Sequence, residues 1–187
     1  MHDAFVPEQL APNPRTPPLL DRPLYRIPFP TSGAVVNAAI VVGVLAGAVE
    51  AAAADLADRV STFHGGRATS NGAILEMVSR ADAAWRSLRA GVLETAASLW
   101  TAAAYDGRPS QQLRASMHAL VFYAAEVARE MISRLYSRSS RASFFRGHPL
   151  ERALRDIHAI SYGFEPLRLF EHGAGLVRMG LPPGVPV

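Results

Sequence analysis

Arg152, Arg155 and Asp156 form the tightest group of residues in this sequence with types and spacing suited to chemistry. They lie within PLERALRDIHAISYGF, residues 149–164. Arg152 and Asp156 are four apart, so on a helix they pair across one turn, with Arg155 on the same flank. A pair of this kind also occurs on a merely solvated helix face. Arg59 lies four residues before Phe63. Its guanidinium suits a phosphate or a planar ring system, and equally the free carbonyls of a helix end. His118 has the chemistry of a proton relay, or of a structural histidine. Arg138, Arg141 and Arg146 mingle with Phe144 and Phe145, a mixture that suits a phosphate-bearing ligand or single-stranded nucleic acid.

Much chemistry is excluded. There is no cysteine, hence no disulfide, thiol nucleophile or thiolate metal site. The six histidines include no HxxxH or HExxH pair, and neither GxGxxG, nor a phosphate-binding P-loop, nor GxSxG is present. No catalytic residue and no metal ligand is assigned. The net charge is +3, all basic residues are arginine, and they are scattered rather than blocked. No nucleic-acid partner is expected.

The elements that would carry these residues are helical. Pro149 suits a first helical turn, Glu151 complements the helix dipole there, and Leu150, Leu154 and Ile157 mark an apolar stripe. Thr31 or Ser32 is a candidate N-cap for a first helix ending near Phe63, before His64-Gly65-Gly66. Residues 33–49 carry no charge, and a membrane span has to be weighed. The Ala- and Gly-rich composition, Asn37 and the acidic continuation favour a buried bundle helix, which another helix approaches at Gly43 and Gly47. A second helix is predicted from Ser70 or Asn71 to Tyr105, with Ile74, Val78, Ala81, Trp85, Leu88, Val92 and Leu99 in a near-heptad stripe. Arg80, Arg86 and Arg89 lie off it, on a solvated face. A third runs from Ser110 to Ser137 on Leu113, Met117, Leu120, Ala124 and Val127. Gly163 and Pro166 break the helix that begins at Pro149, and a last helix spans residues 167–179. Residues 1–30 are rich in proline and read as extended. No secretory leader opens the chain, and the cytoplasm is the expected compartment.

Several stretches carry a resemblance. PLERALRD resembles the "pLqR..RD" signature near the end of the type-2 acyl-CoA dehydrogenase C-terminal domain. That domain closes acyl-CoA dehydrogenase-like enzymes and flavin monooxygenases of the hydroxyphenylacetate and dibenzothiophene type. Residues 39–50 match the family's "lG.a.ga.e" segment, PLYRIPFP its "plyr.P" linker, and GLPPGVPV its closing "lG..p..p". Residues 3–11, DAFVPEQLA, resemble the last strand of the family's middle β domain. The expected organisation is therefore a remnant of that domain and its linker at 1–30, then a helical bundle at 31–187, with the preceding domains missing.

The resemblance implies an all-α fold: an antiparallel up-and-down four-helix bundle behind an extended Pro-rich segment. It implies the C-terminal domain of a flavin-dependent oxidoreductase, inactive alone, that helps form an oligomer core and a flavin pocket for FAD or FMN. Arg59 and Phe63 would contact the flavin of a neighbouring subunit, and Arg152, Arg155 and Asp156 complete the cofactor-binding set. The spacing RVSTF differs by one from the usual dehydrogenase form. Gly163 stands where the monooxygenase branch has a histidine seven residues after the aspartate, so that proton-handling role is not carried over. Expected partners are further copies in a dimer or tetramer, or a separate chain bearing the missing domains, with no membrane. The alternative is a non-catalytic helical oligomerisation or partner protein from a truncated or split gene.

Overall fold

The computed structural model describes residues 5–11, 20–60 and 66–187. Five helices dominate: α1 (Phe29–Ala57), α2 (Gly72–Thr101), α3 (Gln111–Arg138), α4 (Pro149–Phe164) and α5 (Arg168–Arg178). No named strand occurs among the described residues.

Most helix ends have a local cause. Asn71 accepts from Ala73 N at 3.0 Å and Ile74 N at 3.3 Å, which caps α2. Ser110 accepts from Leu113 N at 3.2 Å and caps α3. A π-helical turn, Ala102–Asp106, closes α2, and Gly107 at φ 87° reverses the chain into α3. Pro149 opens α4, and a 3₁₀ turn at Glu165–Leu167 redirects it into α5.

Two expectations fail at α1. It starts at Phe29 after Pro28, because Pro30 in the first turn needs no N–H. Thr31 does not cap it; its side chain is fully buried, with Oγ1 lacking a partner among the described residues. The helix also stops at Ala57, short of Phe63. Beyond it Ala68 N donates to Arg59 O at 2.8 Å, and Val60 pairs with Arg67 in an isolated antiparallel bridge. Phe63 lies outside the described residues. The segment before α1 is not wholly extended. It holds a 3₁₀ turn at Glu8–Leu10 and one helical turn at Pro23–Arg26, again with proline in the first turn. Residues 5–11 form no strand. Arg26 ties this segment to the bundle by donating to Ala103 O at 3.1 Å.

The first four helices run up and down. The end of α1 packs beside the start of α2, and the start of α2 beside the end of α3. α1 and α3 share the central contact, flanked by α2 and α4, which do not pack on each other closely. Val41 and Leu45 of α1, Leu99 of α2, Met117, Ile132 and Leu135 of α3, and Leu150 and Ile157 of α4 fill the core and are fully buried. α5 extends the bundle along α3.

α1 is long and apolar enough to cross a membrane, and in the fold it packs against α2, α3 and α4. Its outer face keeps Val36 58% and Ile40 47% exposed. Gly43 and Gly47 belong to that face, and a Cβ on either would meet open space. Among the described residues no helix of this chain approaches there, so the close approach that their spacing allows is left to a helix from outside this bundle.

Candidate functional site

The candidate site lies where α1 ends, α2 begins, and α3 passes into α4. Arg59 leaves α1 two residues past its last turn, and its Nη1 donates to Arg138 O at 2.5 Å and Ser139 O at 3.0 Å. These carbonyls end α3, where unpaired C=O groups concentrate negative potential. The helix-end reading of Arg59 is therefore realised. The same residue lines a cavity of about 510 Å3, shared with Arg67, Ser70, Asn71 and Gly72. The Val60–Arg67 bridge holds both arginines at this end of the bundle.

One turn before Arg59, Asp55 organises the neighbouring junction. Its Oδ2 accepts from Ser140 Oγ at 3.2 Å, and its Oδ1 lies 3.3 Å from His148 Nε2. His148 Nδ1 accepts from Leu150 N at 3.2 Å, so the unprotonated nitrogen caps α4. The other nitrogen then carries the proton and donates to Asp55. The serine donates to the carboxylate and not to the imidazole, so the trio is a fastener and not a nucleophile–base pair. Sequence reasoning missed Asp55 and His148. The one local signal was a histidine directly ahead of Pro149, at the position where α4 needs a cap.

The α4 residues fare differently. Arg152 Nε lies 3.4 Å from Asp156 Oδ2, as the spacing predicts. Arg155 turns instead to Glu151, with contacts of 3.1 Å and 3.3 Å. Arg152 and Arg155 are exposed, and Asp156 is half-buried. Their helix starts at the Arg59 end, but no hydrogen bond or ion pair joins them to Arg59 among the described residues. Phe144 and Phe145 are exposed beside Arg141 and Arg146, with Phe144 edge-on to Tyr136 at 5.3 Å. Arg80 and Arg86 pair with Glu76 and Asp82 one turn away, a solvated face. No cluster of metal-ligating side chains occurs among the described residues.

A second cavity of about 380 Å3 lies at the other end of the bundle, between the start of α1, the start of α3 and the α4–α5 turn. Its walls are apolar and aromatic, and His118 lies on its floor. That histidine, one position off the α3 stripe, is 3% exposed and stacks on Phe170 with ring centroids 5.0 Å apart. Its Nε2 has no hydrogen-bond partner among the described residues. Burial, helped by Arg114 one turn earlier, pushes its pKa down to about 4.

The residues at the Arg59 end suit an anionic ligand. Arg59, Arg67 and Ser70 line a cavity open to solvent, and guanidinium and hydroxyl groups are of the kind that bind phosphate oxygens.

Comparison with known proteins adds to this. No curated protein matches the sequence. Among solved structures, XiaF from Streptomyces sp., in complex with FADH2 and glycerol, superposes with a TM-score of 0.76 at 23% identity, over 88% of this chain and 42% of that one. The 3-HSA hydroxylase from Rhodococcus sp. RHA1 matches with a TM-score of 0.68 and 27% identity, over 86% and 42% of the two chains. The HsaA monooxygenase from M. tuberculosis gives a TM-score of 0.68 and 27% identity, over 87% and 42%. The chain thus spans less than half the length of these structures. The family model for the acyl-CoA dehydrogenase C-terminal domain matches residues 35–162, from the first turns of α1 to the end of α4. By that match the chain belongs to the acyl-CoA dehydrogenase C-terminal domain family.

Proposed function

We propose that this chain is the C-terminal bundle of a flavin-dependent oxidoreductase, and that it supplies part of a flavin pocket and of an oligomer core. The observation that carries this reading is the family match through residues 35–162, with Arg59 just beyond the end of α1 on the wall of a solvent-open cavity. In this reading Arg59 and Arg67 hold the phosphate of FAD or FMN, and Phe63 flanks the ring. Arg152, Arg155 and Asp156 face the same shared site from α4. Residues 31–187 act as the bundle, and 1–30 lead in from a preceding domain. The exposed stripe of Val36, Ile40, Gly43 and Gly47 supports self-association, since close helix approach needs small residues. The bundle works in the cytoplasm, away from membranes and nucleic acid. When bound, flavin would supply the redox chemistry; this chain's residues bind and orient it.

A second reading has support of its own. Gly163 is exposed on α4 and cannot move a proton, and one face of Arg59 is committed to carbonyls. Both suit a non-catalytic helical oligomerisation or partner protein. Passing the purified chain with FAD, then with FMN, through a desalting column separates the two. Retained yellow colour in wild type, lost in Arg59→Ala, supports the flavin role. Colourless folded protein supports the second reading.

A further inference from the structure

We propose, on the reading that Arg59 takes a ligand phosphate, that Asp55 is a positioning residue for this site: through Ser140 it fixes the carbonyls that set the plane of the Arg59 guanidinium. Asp55 and Arg59 are about one turn apart, and together they grip three consecutive residues. Arg59 Nη1 donates to Arg138 O at 2.5 Å and Ser139 O at 3.0 Å. Asp55 Oδ2 accepts from Ser140 Oγ at 3.2 Å. The same carboxylate lies 3.2 Å (Oδ2) and 3.3 Å (Oδ1) from His148 Nε2. One side chain therefore closes both ends of the connection 140–148, with Gly147 at φ 93° making the turn ahead of His148.

Arg59 depends on this grip for its aim. It lies beyond the last turn of α1, where helical geometry no longer directs a side chain. Its guanidinium is a rigid plane, so two carbonyls on one nitrogen orient the other N–H groups as well. The Ser139 carbonyl belongs to the peptide between Ser139 and Ser140. Ser139 Oγ fixes the near side of that peptide on Leu135 O at 2.8 Å, and Ser140 Oγ fixes the far side on Asp55. Without the second tie the planar peptide unit is free to rotate about its flanking bonds, and its oxygen leaves the guanidinium. Recognition of phosphate by a guanidinium fork is directional, so a rotated plane binds an anion less well. Neither Asp55 nor Ser140 is among the described residues that line the cavity, so both act through Arg59.

The test compares Ser140→Ala with Ser140→Thr in the full chain. Alanine removes the hydroxyl and leaves the Asp55–His148 contact and the α4 cap in place, whereas threonine keeps the hydroxyl. The first readout is the Nη proton signals of Arg59 in heteronuclear NMR, assigned by their loss in Arg59→Ala, which report the gripped guanidinium without any ligand. They should be resolved in wild type and Ser140→Thr, and averaged in Ser140→Ala. The second is calorimetric titration with FMN and with inorganic pyrophosphate. Ser140→Ala should bind each about fivefold more weakly than wild type, a fraction of the loss in Arg59→Ala, and Ser140→Thr should bind as wild type does. Asp55→Ala, which removes the acceptor, should reproduce the Ser140→Ala result. Arg59 signals that stay resolved in both alanine variants overturn the proposal, as does unchanged anion affinity in both. Wild type that binds neither anion, with the signals still averaged in Ser140→Ala, overturns the flavin reading and leaves the positioning contact standing.

Discussion

Asp55 near the end of α1 and His148 at the start of α4 lie 3.3 Å apart, carboxylate to Nε2, across 93 residues of sequence. The same carboxylate takes the Ser140 hydroxyl, so one side chain fastens three segments. Asp55→Ala should lower stability by about 1–3 kcal/mol, since two half-buried groups lose their partner. A His148→Ala variant should cost about as much, because α4 loses its cap. The double variant should cost less than the sum of the two. Thermal melts of all three check this, and additivity would show that the contact contributes nothing.

Arg59 is placed to serve two ends at once. Arg59→Ala should destabilise the bundle by about 1 kcal/mol through the lost carbonyl contacts. Lysine at the same position should restore part of the stability but little flavin retention, because an ammonium lacks the planar fork. Chemical denaturation and flavin binding, measured on the same two variants, separate these roles.

His118 should leave a signature in pH dependence. It is neutral in the fold, with its pKa lowered from 6.5 to about 4. Between those values the unfolded chain binds a proton that the native chain does not, so stability falls as pH drops from 6.5 toward 4 and then levels. The loss is about 3 kcal/mol, from about 1.4 kcal/mol per pKa unit. Urea melts across this range should show the excess slope in wild type and not in His118→Leu.

Gly173 is covered by the tail that follows α5. A Cβ there would meet Val185 Cγ2 at 2.8 Å, Val187 Cγ1 at 3.0 Å and Pro183 O at 3.2 Å. Arg114 Nη1 donates to Val187 O and holds the tail down. Gly173→Val should therefore displace the tail, with a cost of about 1–3 kcal/mol and faster proteolysis after Gly180. Unchanged proteolysis would show that the tail shifts without releasing.

Much of this fold is readable from local chemistry. Asn71, Ser110 and Pro149 mark three helix starts, because each satisfies or avoids an orphan N–H within its own turn. The α1 boundaries are not readable in that way. Thr31 looks like a cap and is core, since Pro30 lets the helix begin earlier and turns that side chain inward. The Arg59 partners are carbonyls 79 and 80 residues away, set by how α1 and α3 align and by no local pattern. Arg152–Asp156 follows from its spacing, but Arg155 had two acidic choices and took Glu151, four residues before it. His118 stands one position off a stripe, and only the placement of Phe170 after the Glu165–Leu167 turn reveals its burial.

The outer face of α1 bears on assembly. Gly43→Leu and Gly47→Leu place side chains in open space, so each should leave the isolated bundle folded. If copies pack through this face, both variants should sediment as smaller species than wild type. Unaltered sedimentation would assign the contact to another surface.

The central claim is a flavin pocket shared between chains, and its most direct test is flavin binding followed against protein concentration. Titration of FAD and FMN at concentrations above and below self-association should show binding that rises with the oligomer and vanishes in Arg59→Ala. A folded, self-associated chain that binds neither flavin at any concentration would contradict it.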